Sequence, residues 1–156
     1  MRFNSLVKQI ISEALDSPYP YQMSKRDGGY IFFPDSNNQS ILYTVLMLED
    51  PDYTSRLTIM FHYTDENKNI QGTPDMTGTG NAFRVMATIL KIVNDYLSEN
   101  SEKYNIINFS AKSVDHGRVN LYKRLAQQIK NKLGSQWDLD TFRNSYQVEF
   151  ELSKRV

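Results

Sequence analysis

Between residues 64 and 82 the hydrophobic rhythm of this chain changes from a period of two to a helical period, which restricts the fold to a mixture of sheet and helix. Upstream, Leu57, Ile59, Phe61 and Tyr63 alternate with Thr58, Met60 and His62, the pattern of a strand with one buried face. Downstream, Ala82, Met86, Ile89, Leu90, Val93 and Leu97 share one side of a helical wheel. Val85 and Ile92 widen that stripe, while Arg84, Lys91, Asp95 and Glu99 lie opposite. That is the stripe of a long amphipathic helix packed on a core.

The remaining segments fit around this switch. Phe3, Leu6, Val7, Ile10, Ile11 and Ala14 predict an N-terminal amphipathic helix within 1–16, stopped at Ser17-Pro18. Residues 17–28 contain Pro18-Tyr19-Pro20-Tyr21 and close on Asp27-Gly28-Gly29. Proline there cannot continue a helix, so this stretch reads as an extended linker to a main domain over 29–156. Tyr30–Phe33 and Ile41–Leu48 predict two strands before the alternating one. They are separated by the turn compositions Asp35-Ser36-Asn37-Asn38 and Glu49-Asp50-Pro51-Asp52. After the long helix come a strand over Ile106–Ala111 and a second helix over Arg118–Leu133, with Gly134 placed to cap it. A last strand alternates Val148, Phe150 and Leu152 with Glu149 and Glu151. The expected fold is α/β: an antiparallel meander followed by β-α-β-α-β, one mixed sheet covered by helices, with a parallel crossover near the middle.

Composition narrows the chemistry. The chain has 156 residues and no cysteine, which excludes a disulfide framework, thiolate metal ligation and a cysteine nucleophile. Only His62 and His116 are histidines, and no metal site is expected. Eighteen basic residues balance eighteen acidic ones, so the molecule as a whole exerts little pull on nucleic acid, which is not expected as a partner. No apolar run approaches the ~20 residues of a membrane span, and the N-terminus lacks the apolar core of a secretory signal. A soluble, intracellular protein is expected.

The loop Thr77-Gly78-Thr79-Gly80-Asn81-Ala82 joins strand to helix. Glycines let backbone approach a ligand closely, and a helix start presents bare amides and partial positive charge, an arrangement suited to a pyrophosphate. Glycines that simply turn the chain into the helix are the alternative. Further on come Ile107-Asn108-Phe109-Ser110-Ala111 and Arg118-Val119-Asn120-Leu121-Tyr122-Lys123-Arg124-Leu125. With these motifs the chain resembles the GNAT superfamily of acyl-coenzyme A N-acyltransferases over roughly 29–153. Gly78, Gly80 and Ala82 sit where the family's loop has small residues; Leu121, Tyr122 and Leu125 match its later helix. The sequence departs from the family's pattern at Asp75, where a basic residue or glutamine opens the loop, at Asp115, where asparagine is usual, and at Ala126-Gln127 in place of Gly-Phe. The resemblance implies acetyl-coenzyme A as cofactor, held by the backbone of Gly78, Thr79, Gly80, Asn81 and Ala82, and an amine acceptor. It makes Tyr122 the acid that protonates the departing thiolate; a phenol of pKa ~10 suits a thiol leaving group. His62 and Glu49 are the candidate general bases, histidine being the side-chain type that changes charge near neutrality.

A second resemblance concerns the first residues. A short helix ending in Ile11-Ser12-Glu13 looks like the capsid-targeting leaders of large tailed bacteriophages, cut after such a glutamate. It implies a phage protein acting in the host cytoplasm or the virion interior, with capsid or host protein as partner. Three functions follow as expectations: an acyl-coenzyme A-dependent N-acyltransferase, a noncatalytic protein of the same fold in the phage head or on a host protein, and a nucleic-acid-binding module using the basic run Lys112, Arg118, Lys123, Arg124, Lys130 and Lys132.

Overall fold

A computed structural model describes residues 18–24, 29–34, 42–64, 70–71, 82–114 and 116–155. Eight strands and two α-helices are described: β1 (Gln22–Ser24), β2 (Gly29–Phe32), β3 (Leu42–Glu49), β4 (Arg56–Thr64), β5 (Ile70–Gln71), α1 (Ala82–Asn100), β6 (Ile106–Lys112), α2 (His116–Leu133), β7 (Trp137–Arg143) and β8 (Gln147–Lys154). A 3-10 turn over Ser101–Lys103 follows α1. The sheet order is β1-β2-β3-β4-β6-β8-β7, with β5 pairing the end of β4. Strands β2 to β4 form the expected antiparallel meander, β1 adds to its edge, and β4 and β6 are parallel. The α/β expectation holds, and the expected strands and helices occur in the expected order with β1, β5 and β7 added. The N-terminal helix, Glu13, Asp75 and Asp115 lie outside the described residues.

Three strands, β1, β5 and β7, differ from the sequence expectation. Within the supposed linker, Gln22–Ser24 pairs with β2 as an edge strand, and Tyr19 is buried, stacked on Phe32 at 6.1 Å between centroids. The tyrosines that follow the prolines have rings large enough to join the core, which a composition-based linker reading overlooks. β7 was not expected at all. Its sequence, WDLDTFR, buries Trp137 but exposes most of the rest, as an outermost strand with a partner on one side only does. α2 ends where Gly134 takes φ 102°, a left-handed conformation, and its N–H donates to the Lys130 carbonyl at 3.0 Å.

Cross-strand registers sort the side chains onto two faces. Tyr30, Phe32, Tyr43, Val45, Ile59 and Phe61 point to one side, together with Ile107, Phe109, Val148, Phe150 and Leu152. Both helices pack on that side: α1 through the Tyr30–Tyr96 contact and α2 through Tyr122 against Phe61 and Phe109. The buried stripe of α1 is the predicted one, with Val85, Met86, Ile89, Ile92, Val93 and Leu97 in the core. The other face carries Thr44, Leu46, Thr58, Met60, His62, Asn108, Glu149 and Glu151, and no described helix covers it.

Candidate functional site

The sheet opens at its centre. β4 and β6 stay paired for three rungs only, Arg56 with Ile106, Leu57 with Ile107 and Thr58 with Asn108. β4 then runs on to Thr64 and β6 to Lys112. Outward of the opening, β4 is zipped to β3 from end to end and β6 to β8 over its full length. Each half of the sheet follows its own twist, and the two separate beyond the third rung. β5 returns to β4 only at Tyr63 and Thr64. Ile59–His62 therefore keep one backbone edge without a strand partner among the described residues. An open strand edge of this kind can take an extended amide-bearing ligand by main-chain hydrogen bonds.

On the helix side, aromatic rings line the base of this fork. Tyr122 of α2 sits 5.1 Å from Phe61 and 5.9 Å from Phe109, edge to face, and Phe61 and Phe109 are 5.9 Å apart. Tyr122 is fully buried. Its place on the apolar stripe of α2, with Val119, Leu125, Ala126 and Ile129, explains why: the period that puts those residues on the sheet puts this ring there too. Packing of the ring and proximity to the fork therefore occur together.

On the helix-free side, the last rung carries a polar chain across three strands. Thr58 Oγ1 donates to Asn108 Oδ1 at 3.0 Å, and Asn108 Nδ2 donates to Glu149 Oε1 at 2.9 Å. Nothing in the sequence marks these residues as a group. They lie 50 and 41 positions apart, and only the strand register joins them. The one local signal is an asparagine interrupting the apolar composition of β6.

The candidate bases fall in different places. His62 is on β4 beyond the last rung, half-buried on the open face opposite the buried Thr44. Glu49 is at the closed end, opposite Leu57. That separates the two by five β4 residues, ~17 Å along the strand. Glu49 is held by Lys103 and by the Tyr104 hydroxyl at 2.8 Å. The hydrogen bond from Lys103, then that from Tyr104, keeps its carboxyl below the usual range. Tyr104 in turn shares a 2.7 Å hydrogen bond with Tyr96, and its phenol is pushed upward, chiefly by burial. Under α1, Tyr21 donates to Asp95, and burial followed by that hydrogen bond raises Tyr21 to about 12. These two networks fasten α1 and the turn after it to the first strands.

Of the loop expected to hold a pyrophosphate, Gly78, Thr79, Gly80 and Asn81 lie outside the described residues. Ala82 is the first described residue of α1. Among the described residues, no group of three or more His, Asp or Glu is placed to hold a metal ion, and no helix is long and apolar enough to cross a membrane. A depression of about 600 Å³ lined by Leu90, Asp95, Glu102, Lys132 and Trp137 lies at the C-terminal ends of the helices, away from the fork.

No family model matches the chain, and no curated protein does. Among solved structures, an acetyltransferase of the GNAT family from Streptococcus pneumoniae is similar over 83% of this chain and 68% of its own. The sequence identity is 7% and the TM-score 0.39.

Proposed function

We propose that the protein is an acyl-coenzyme A-dependent N-acyltransferase whose reaction takes place at the fork between β4 and β6. The observation that supports this is the parallel ladder that stops after Thr58–Asn108 while both strands continue. An acyl-coenzyme A bound there supplies an activated thioester. The acceptor nitrogen forms a bond to the carbonyl carbon, the carbon–sulfur bond breaks, and the nitrogen loses a proton as the sulfur gains one. The free edge of Ile59–His62 offers N–H groups to the carbonyl oxygen as negative charge builds on it. Tyr122 is assigned the proton donor to sulfur, and His62 the acceptor of the amine proton. Glu49 is the weaker candidate, because its carboxylate is held at the zipped end of the strands. The backbone of Gly78 to Ala82 is assigned the pyrophosphate.

The second reading is a noncatalytic protein of this fold, a virion or host-interaction component. It is favoured by the same three rings: a Tyr122 buried among Phe61 and Phe109 suits packing as well as chemistry.

Calorimetric titration with acetyl-coenzyme A separates the two. The transferase reading expects a measurable heat and a rise in melting temperature. It also expects Tyr122→Phe to cut turnover on the order of 10²-fold with cofactor affinity unchanged. Absence of both heat and thermal shift at millimolar cofactor would leave the noncatalytic reading standing.

A further inference from the structure

Eighteen cations and eighteen anions cancel over the whole chain, but the fold sorts them. α2 carries Arg118, Lys123, Arg124, Lys130 and Lys132 and no carboxylate in its 18 residues. Asn120, Lys123, Arg124, Gln127 and Asn131 are exposed on the side turned away from the sheet; Lys130 and Lys132 flank that side, Lys132 at the rim of the depression it shares with Asp95 and Glu102. Gln127 Nε2 donates to Asn131 Oδ1 at 3.1 Å, which aligns the amides along the helix axis. Among the described residues Lys123, Arg124, Lys130 and Lys132 form no ion pair. The carboxylates of the strands beneath do not offset them. Asp138, Asp140, Glu149 and Glu151 all alternate onto the opposite, helix-free face of the sheet. The result is a helix ~27 Å long whose outward face carries cations and amides and, among the described residues, no acidic side chain; Asp95 and Glu102 approach it only at the Lys132 end.

We propose that the outer face of α2 binds the backbone of duplex DNA, independently of any chemistry at the fork. Charge complementarity selects a polyanion, since fixed cations near phosphates displace counterions. The composition selects nucleic acid over an acidic protein. The outward residues named above are all hydrogen-bond donors suited to phosphate oxygens and base edges, and none is apolar, whereas the centre of a protein interface is apolar and poor in charge. Shape selects DNA over RNA. A helix ~10–12 Å across matches the ~12 Å major groove of B-form DNA, while the A-form groove is too narrow to admit it.

The test is fluorescence anisotropy of the full chain with a labelled DNA duplex of 20 base pairs at 50 and 200 mM salt. Four phosphate contacts give a logarithmic slope of about −3.6, so affinity should fall roughly 150-fold over that range. Lys123→Gln with Arg124→Gln should bring the slope to about −1.8; Asp138→Asn with Asp140→Asn, on the other face, should leave it unchanged. Circular dichroism establishes that both variants fold. No binding at 50 mM salt would overturn the proposal, as would a slope unaffected by the α2 pair. Binding of an RNA duplex or polyglutamate at least as tight as that of DNA would overturn it too.

Discussion

Removing the Phe109 ring tests the fork most directly, because that ring anchors its helix side. Phe109 is 1% exposed and touches three rings: Phe61 and Tyr122, each at 5.9 Å, and Phe150 at 5.6 Å. β6 is zipped to β8 behind it, so the space left by Phe109→Ala cannot collapse easily. A buried Phe→Ala change of this kind costs about 4 kcal/mol. Phe61 is also in the core, but it is 9% exposed, has two ring partners among the described residues, and stands on the stretch of β4 that is paired on its β3 side alone among the described residues. Its surroundings can relax into the opening, and Phe61→Ala should cost about half as much, ~2 kcal/mol. With a urea m-value of ~2 kcal/mol per molar, the midpoint should drop by about 2 M for Phe109→Ala and about 1 M for Phe61→Ala. Urea unfolding followed by far-ultraviolet circular dichroism reads both. Equal losses, or the reverse order, would mean that β4 and β6 are closed along their length and that the fork does not exist in solution.

Two further perturbations probe the framework. Glu49 titrates below its ordinary range because Lys103 and Tyr104 donate to it. A carboxylate lowered in the folded state adds stability that is present above its unfolded pKa, ~4.3, and is lost as pH falls through the lower folded value. Lys103→Ala should therefore make the acid limb of the stability profile shallower below pH ~4.3, read as urea midpoint against pH; an unchanged limb would show that the ion pair does not persist in solution. At Gly29, an added Cβ would lie 2.5 Å from the Val45 carbonyl oxygen and 2.8 Å from Leu46 Cδ2. A backbone oxygen in a paired strand cannot retreat, so Gly29→Ala should cost ~1–3 kcal/mol. A neutral result would mean that β2 and β3 pair more loosely than described.

Legibility in the sequence followed the strength of each local pattern. β3, β4, α1, β6, α2 and β8 each repeat apolar residues over seven positions or more, and that repetition is what burying one face requires. β1 and β5, of three and two residues, are too short to show a period. β7 has the period but few apolar residues, since an outermost strand covers little core. Tyr122 was legible as both a motif residue and a stripe residue, and the structure keeps both descriptions. The Thr58–Asn108–Glu149 chain was not, because each member reads locally as an ordinary outward-facing polar residue.

The order of the longer strands and helices, the buried stripes of those elements and the glycine that ends α2 were determined by the amino-acid sequence, because short-range periodicity and backbone sterics act within a few residues. Where β4 and β6 part, which base candidate stands at the opening, and that the carboxylates of β7 and β8 face away from the basic run of α2 were decided only by the tertiary structure. These depend on pairing register and on which side each element packs, and neither is encoded in any single stretch of chain.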